Sequence, residues 1–164
     1  MLVSVTATEA LARLREFDTL IDARTQSEFA LDRLHGAVNW PSPTDDERAL
    51  VGTEYKQLSP VTAKKRGAAL VARNIADHIE RELTETPKDW KPLVYCWRGG
   101  KRSGSLALVL DQIGFKVHLL EGGYAEFRRA VVAALEEPAT AATPYRIGAL
   151  PAPRRAQVTP SGEV

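Results

Sequence analysis

The chain has 164 residues, of which 44% are hydrophobic, so its size and composition suit one globular domain with a sizeable core. Its 22 Lys and Arg residues nearly balance its 21 Asp and Glu residues, which excludes a general attraction to nucleic acid or anionic lipid. The single cysteine excludes an internal disulfide and a cysteine-rich metal site, and because His35, His78 and His118 lack ligand spacing we expect no metal.

Short apolar runs alternate with helix-like segments, a pattern typical of an α/β fold with a mostly parallel central sheet and helices on both faces. In the N-terminal part the predicted strands are Val3–Val5, Thr19–Ala23 and Ala37–Trp40. The spacing Thr-x-x-Glu is that of a capping box and predicts that a helix begins there. It follows the first two predicted strands, at Thr6 to Glu9 and at Thr25 to Glu28.

The centre of the chain, about residues 42–91, is predicted to be a long helical insertion. One helix is expected over Asp45–Gln57. Ser59 as N-cap and Pro60 at the first helical position predict a second helix that runs to about Leu83. The apolar positions predicted to share one face of this second helix are Ala69, Leu70, Ile75, Ala76 and Ile79.

The remaining predicted elements complete the domain. They are a strand at Leu93–Cys96, a helix at Ser103–Ile113 that Gly114 ends, a strand at Val117–Leu120 and a helix at Tyr124–Glu136. We assign residues 1–137 to the α/β domain and predict a poorly ordered tail at 138–164, which is rich in Pro, Ala and Arg without periodicity. Since the sequence shows neither a signal peptide nor about 20 consecutive apolar residues, we expect a cytoplasmic protein without a membrane span.

The loop after the fourth predicted strand carries the candidate chemistry. Five residues separate Cys96 from Arg102, and a glycine pair lets the backbone curl so that N–H groups point at the sulfur. These donors, the cations and the start of the next helix favour a thiolate nucleophile and an incoming oxyanion such as phosphate, thiosulfate or selenophosphate. The predicted catalytic residue is Cys96, and the predicted anion-binding residues are Trp97, Arg98, Gly99, Gly100, Lys101, Arg102 and Ser103.

This loop has two other interpretations. An inert buried cysteine at the end of a strand is common, but a glycine pair with three cations argues against it. A nucleotide-binding P-loop, G-x-x-x-x-G-K-[ST], is excluded because Tyr95 replaces its first glycine and Arg102 replaces its hydroxyl residue.

Three further segments make the chain resemble a rhodanese domain. They are Leu20–Arg24 with Glu28 and Phe29, Leu34–Asn39, and Leu120–Tyr124. The resemblance implies a rhodanese-like fold, in which Asp22, Arg24 and Glu28 are mostly structural and tie the loop after the second strand to its helix.

The resemblance is closer to the N-terminal domain of the tRNA 2-selenouridine synthase family and covers about residues 3–137. It rests on the long link before the cysteine strand and on the segments Asp46–Gln57, Ala63–Asn74 and Tyr95–Ser105. That family replaces the sulfur of 2-thiouridine at the tRNA wobble position by selenium from selenophosphate. It also geranylates that sulfur with geranyl diphosphate. The resemblance thus implies tRNA as partner, two co-substrates and no resident cofactor.

The same resemblance assigns roles within the loop. Cys96 matches the family's essential cysteine, the nucleophile or chalcogen carrier, while Arg98, Lys101 and Arg102 would neutralise the phosphate that leaves. The family also has a C-terminal P-loop domain. Because this sequence ends in the Pro-rich tail instead, we expect the P-loop domain to be truncated or a separate chain, and complete activity to need it.

Three alternatives stay open from the sequence. A rhodanese-fold cysteine phosphatase also has five residues between cysteine and arginine, but residues 97–105 contain no acid. A stand-alone sulfurtransferase usually has a shorter loop, and a non-catalytic binding module does not need the cationic loop.

Trp97 either stacks on a ligand or packs against the loop. The basic residues of the central helix are expected to be a solvated face rather than a tRNA contact, and they are Lys64, Lys65, Arg66 and Arg73.

Overall fold

The computed structural model describes residues 1–136, so the predicted tail at 138–164 lies outside the described residues. The strands are β1 (Val3–Val5), β2 (Thr19–Asp22), β3 (Val38–Asn39), β4 (Pro92–Tyr95) and β5 (His118–Leu120). The helices are α1 (Ala7–Ala12), α2 (Gln26–Leu31), α3 (Asp45–Gln57), α4 (Pro60–Glu82), α5 (Lys101–Ile113) and α6 (Gly123–Glu136), with a 3-10 turn at Leu14–Glu16. None of these helices is long and apolar enough to cross a membrane.

The five strands form one sheet in the order β1-β5-β4-β2-β3, and every neighbouring pair is parallel. The predicted α/β class is confirmed, and the sheet is wholly rather than mostly parallel. Strand β4 is central, with Leu93 opposite Leu20 of β2 on one side and opposite His118 of β5 on the other. The carboxyl ends of β2, β4 and β5 therefore meet at one edge, where the loop that begins at Cys96 lies.

Helices cover both faces of the sheet, and successive side chains of each strand point to opposite faces. Val94 and Cys96 face a core that includes residues of α4 and α5, among them Ile75 and Leu106. Residues of β4 on the opposite side face a core shared with α1 and α6, and the buried members of that core include Leu93, Tyr95, Ala10 and Phe127. The cysteine side chain thus lies on the α5 side of the central strand.

Local signals predicted most helix starts. Both capping boxes form, with the Thr6 and Thr25 side chains accepting from the N–H groups of Glu9 and Glu28, and Ser59 caps α4 as expected. The start of α5 was predicted two residues late, since Gly100 is the N-cap and the helix begins at Lys101. The first turn of α5 consequently contains two of the loop's cations.

The buried face of α4 differs in part from the predicted one, since Ile75 is buried and Ile79 packs against the core as expected. Ala69 and Ala76 are exposed, and the buried positions are Ala63, Ile75 and His78. The periodic apolar pattern missed the histidine, whose ring stacks on Trp40 with centroids 5.4 Å apart. Its Nε2 lies 3.1 Å from the carbonyl oxygen of Pro41, so the buried ring has a hydrogen-bonding partner as well as an aromatic contact.

Candidate functional site

The Cys96 sulfur lies directly after β4 and is held from the side of the next helix. The backbone N–H of Gly100 donates to Sγ at 3.2 Å, and the Ser103 hydroxyl lies 3.1 Å from the same sulfur. Cys96 is 2% exposed and Ser103 is fully buried. The loop therefore curls around its own cysteine and presents donors to it, which is the arrangement of an anion-binding nest.

These donors decide the protonation state of the thiol. Burial alone would raise the pKa of Cys96, because desolvation disfavours the thiolate. The Ser103 hydroxyl and the loop N–H groups act in the opposite direction and win, so the pKa is lowered from its ordinary value. The loop N–H groups that lower the pKa of Cys96 are those of Arg98, Gly100 and Ser103.

The glycine turn after β5 contacts the backbone of the cysteine loop. The N–H of Tyr124 donates to the Cys96 carbonyl at 2.8 Å, and that of Ala125 to the Trp97 carbonyl at 3.1 Å. Gly123 has φ +61°, and a Cβ there would lie 2.6 Å from the Gly99 nitrogen. Only glycine permits this approach, so the first turn of α6 fixes the backbone of the cysteine loop. The sequence indicated a turn here but gave no sign of this contact.

A buried ion pair, Asp22 with Arg24, connects the end of β2 to the cysteine loop. The Arg24 guanidinium donates to both carboxylate oxygens of Asp22, at 2.7 Å from Nη2 to Oδ2 and 3.0 Å from Nε to Oδ1. Its carbon lies 4.3 Å from the ring centroid of Tyr124 and 5.8 Å from that of Trp97. The structural role expected for this pair therefore extends to the aromatic side chain that follows the cysteine.

The cations of the loop do not act as one group. Arg98 and Lys101 are exposed at its rim. Arg102 instead donates from Nη1 to Glu28 Oε2 at 2.8 Å, across 74 positions of sequence. Glu28 caps α2 as expected, but a carboxylate beside Arg102 was not predicted, because no local pattern connects two helices so distant in sequence.

Comparison with known proteins identifies the domain. Residues 6–130 match the family described as Rhodanese, the rhodanese-like domain. The chain belongs to this family. The rhodanese-like domain is 36% identical over 118 residues to a tRNA 2-selenouridine synthase of Nitrosomonas europaea and 37% identical over 134 residues to one of Aeromonas salmonicida. These matches cover 71% and 80% of the chain, but the chain spans only about a third of the length of these relatives, 31% and 36% respectively.

A solved structure extends the comparison. The "N-terminal domain of putative ATP/GTP binding protein" of Clostridium difficile 630 is 32% identical, with a TM-score of 0.63. The match covers 79% of this chain and 98% of that domain. A rhodanese-related protein of Thermoplasma volcanium, 16% identical with a TM-score of 0.50 over 77% of this chain and 91% of its own, shares the fold.

Trp97 and the basic residues of α4 lie at the surface of the rhodanese-like domain. Trp97 is 40% exposed while its ring lies 5.8 Å from that of Tyr124, so it both packs on the loop and faces solvent. On α4 the basic residues are exposed, and Arg66 pairs with Glu54 of α3 at 3.0 Å. Within residues 1–136 no cluster of His, Cys, Asp and Glu is arranged to hold a metal ion.

The thiolate gives a first testable prediction. Replacing Ser103 with alanine removes one hydrogen bond to a charged sulfur, so we expect alkylation of Cys96 by iodoacetamide to be about tenfold slower at a pH below the midpoint. The rate is measured against pH, with Ser105→Ala, two residues further along α5, as the matched control. Equal profiles for the two variants would show that the hydroxyl does not stabilise the thiolate.

Proposed function

We propose that this rhodanese-like domain is the chalcogen-transfer part of a cytoplasmic tRNA-modifying enzyme, in which Cys96 is the nucleophile. The observation that carries the proposal is the similarity to relatives named tRNA 2-selenouridine synthase, which are 33–37% identical to it. The proposed overall reaction replaces sulfur by selenium at the 2-thiouridine of the tRNA wobble position. Selenophosphate is the proposed selenium donor, and geranyl diphosphate is a second proposed co-substrate.

The geometry of the loop supports a nucleophilic role for the thiol. Its pKa is lowered, and a thiolate rather than a thiol attacks a chalcogen donor. With thiosulfate, the Cys96 thiolate attacks the outer sulfur, a new S–S bond forms as the donor's S–S bond breaks, and sulfite leaves with the bonding electron pair. The product is a persulfide on the cysteine. No proton is transferred, so the step needs cations and N–H donors rather than an acid.

The same donors suit the anionic end of either substrate. Selenophosphate and thiosulfate each present tetrahedral oxygens that backbone N–H groups at the start of α5 can bind. We propose that Gly99, Gly100 and Ser103, with the rim cations Arg98 and Lys101, hold these oxygens while the chalcogen lies at Cys96. Trp97 is proposed to cover the bound donor, because part of its ring faces solvent beside the loop.

The remainder of the reaction is assigned to another part of the enzyme. The chain spans about a third of the length of its curated relatives, and a similar solved domain belongs to a protein named for ATP/GTP binding. We therefore propose that a P-loop domain, in the same protein or in another chain, acts with this domain, with tRNA as the shared substrate.

The rival phosphatase function has one observation in its favour, the five residues between Cys96 and Arg102. A phosphatase cysteine attacks phosphorus and needs an acid to protonate the alkoxide that leaves. The carboxylate that reaches the loop is that of Glu28. Although its partial burial acts to raise its pKa, the Arg102 guanidinium and the Thr25 N–H lower the pKa overall, so this group stays ionised and suits the acid role poorly.

The test compares the two functions on one preparation. We expect incubation with thiosulfate to increase the intact mass of the domain by one sulfur atom, with no increase in Cys96→Ser. Selenophosphate is tested in the same way for a selenium adduct. Release of phosphate from an aryl phosphate is measured in parallel and is expected to be slow or absent. Rapid, Cys96-dependent phosphate release without any chalcogen adduct would assign the domain to the phosphatases instead.

A further inference from the structure

The capping glutamate of α2, Glu28, also forms an ion pair with a residue of the helix that follows Cys96. Three helices begin with the same Thr-x-x-Glu box, whose glutamates are Glu9, Glu28 and Glu47. Of these, Glu28 accepts from Arg102 of α5 at 2.8 Å, through the same Oε2 that accepts from the Thr25 N–H at 3.1 Å. Its carboxylate thus links the start of α2 to the first turn of the helix that follows Cys96.

The helical insertion brings a second guanidinium to this carboxylate. Nη1 of Arg48, on α3, lies 3.6 Å from Glu28 Oε2, which also binds Arg102. Asp45 at the start of α3 accepts from the Ser27 N–H at 2.9 Å, so α2 and α3 are fixed to each other at this point. Two guanidinium groups thus share the Glu28 carboxylate.

The ion pair leaves part of Arg102 available. Within residues 1–136 Arg102 forms one hydrogen bond, through Nη1, and the edge formed by Nε and Nη2 forms none. That edge is a planar fork, which matches two oxygens of a phosphate-like anion. Arg102 directly precedes Ser103, whose hydroxyl lies 3.1 Å from the Cys96 sulfur. Its side chain is 25% exposed and that of Glu28 is 18% exposed, so the pair is partly shielded from water.

We propose that Glu28 is a positioning residue that holds the Arg102 guanidinium with its unused edge toward a tetrahedral oxyanion in the cysteine loop. This inference rests on the proposed function, because it names the part of the substrate, a phosphate-like group, that the domain binds. Arg48, on the helical insertion, adds a second positive charge beside the same carboxylate. The insertion thereby contributes to anion binding as well as to the fold.

The test measures protection of Cys96 by inorganic phosphate. Phosphate bound in the loop slows alkylation by iodoacetamide, and its concentration at half-protection reports affinity. In Glu28→Gln the glutamine still caps α2 but no longer forms the charged pair that holds Arg102, and we expect this concentration to rise about tenfold. Removing a negative charge would by electrostatics alone make phosphate bind more tightly, so a weakening identifies positioning. The control is Glu9→Gln, the same change in the box of α1, which is expected to leave protection unchanged.

A double-mutant cycle shows whether Glu28 acts through Arg102. We expect Glu28→Gln to have no further effect in the Arg102→Gln background, and Arg102→Lys, which keeps the charge but loses the fork, to weaken protection while the domain stays folded by circular dichroism. Unchanged or tighter binding in Glu28→Gln, additive effects in the double variant, or no protection of the wild type by phosphate would each overturn the proposal. The adduct experiment is independent: protection without any chalcogen adduct would leave this inference intact and contradict the proposed function.

Discussion

Gly123→Ala is expected to lower the free energy of unfolding by about 3 kcal/mol and to slow the alkylation of Cys96 strongly. The left-handed backbone at this position, φ +61°, disfavours any side chain. In addition, a Cβ would lie 2.6 Å from the Gly99 nitrogen and 2.9 Å from the Arg98 nitrogen, and closer still to the Cys96 carbonyl oxygen. Since these contacts are to backbone, the loop itself must move.

The control for this change is Gly36→Ala. Gly36 also has a positive φ, +78°, but no atom lies within 4 Å of the position its Cβ would occupy. It therefore pays only the conformational penalty, about 1–2 kcal/mol, and we expect alkylation of Cys96 to keep its wild-type rate. Urea unfolding and alkylation kinetics on both variants measure the two effects. Equal loss of stability with normal reactivity in both would show that α6 does not support the loop.

Asp22→Ala is expected to destabilise the domain by about 3–5 kcal/mol, because it leaves the guanidinium of Arg24 buried without its counter-charge. Asp22 is fully buried and Arg24 is 1% exposed. The same guanidinium lies against the rings of Tyr124 and Trp97, so its displacement should also increase the exposure of Trp97. Chemical denaturation gives the stability, and tryptophan fluorescence of the folded variant follows the indole.

The matched control is an ion pair at the surface. Arg13 and Glu16 pair at 2.8 Å with both side chains largely exposed, and Glu16→Ala is expected to leave the unfolding midpoint nearly unchanged. If Asp22→Ala also left the midpoint unchanged, the buried pair would contribute no more than the exposed one, contrary to the argument from desolvation.

Local patterns were sufficient for most of the architecture. Alternating strands and helices predicted the α/β class, and capping signals at Thr6, Thr25 and Ser59 predicted helix starts that the structure confirms. The cysteine loop was found in the same way, since glycines and cations close together in sequence are also close in space. Each of these signals acts over a few residues, which is why a single sequence contains them.

Contacts between distant segments were not predictable. The approach of Glu28 to Arg102 spans 74 positions, and that of Gly123 to the Cys96 backbone depends on how β4 and β5 lie side by side. The start of α5 was misplaced for a related reason: Gly100 caps the helix without a side chain, so the sequence contains no capping signal at that point. The apolar period likewise missed His78, because an aromatic neighbour from another segment buries it.

The order of strands in the sheet also has a consequence for synthesis on the ribosome. Of the five strands, β1 is made first, yet within residues 1–136 it pairs only with β5, so Val3 cannot join the sheet before His118 is made. Strand β2 can pair early with β3 but must wait for Pro92 and the rest of β4 to gain its second neighbour. Such distant pairings form slowly, since a long stretch of chain must close first. Of the strands of this sheet, β1 is thus the first to leave the ribosome, and it has no strand to pair with until β5 has also emerged.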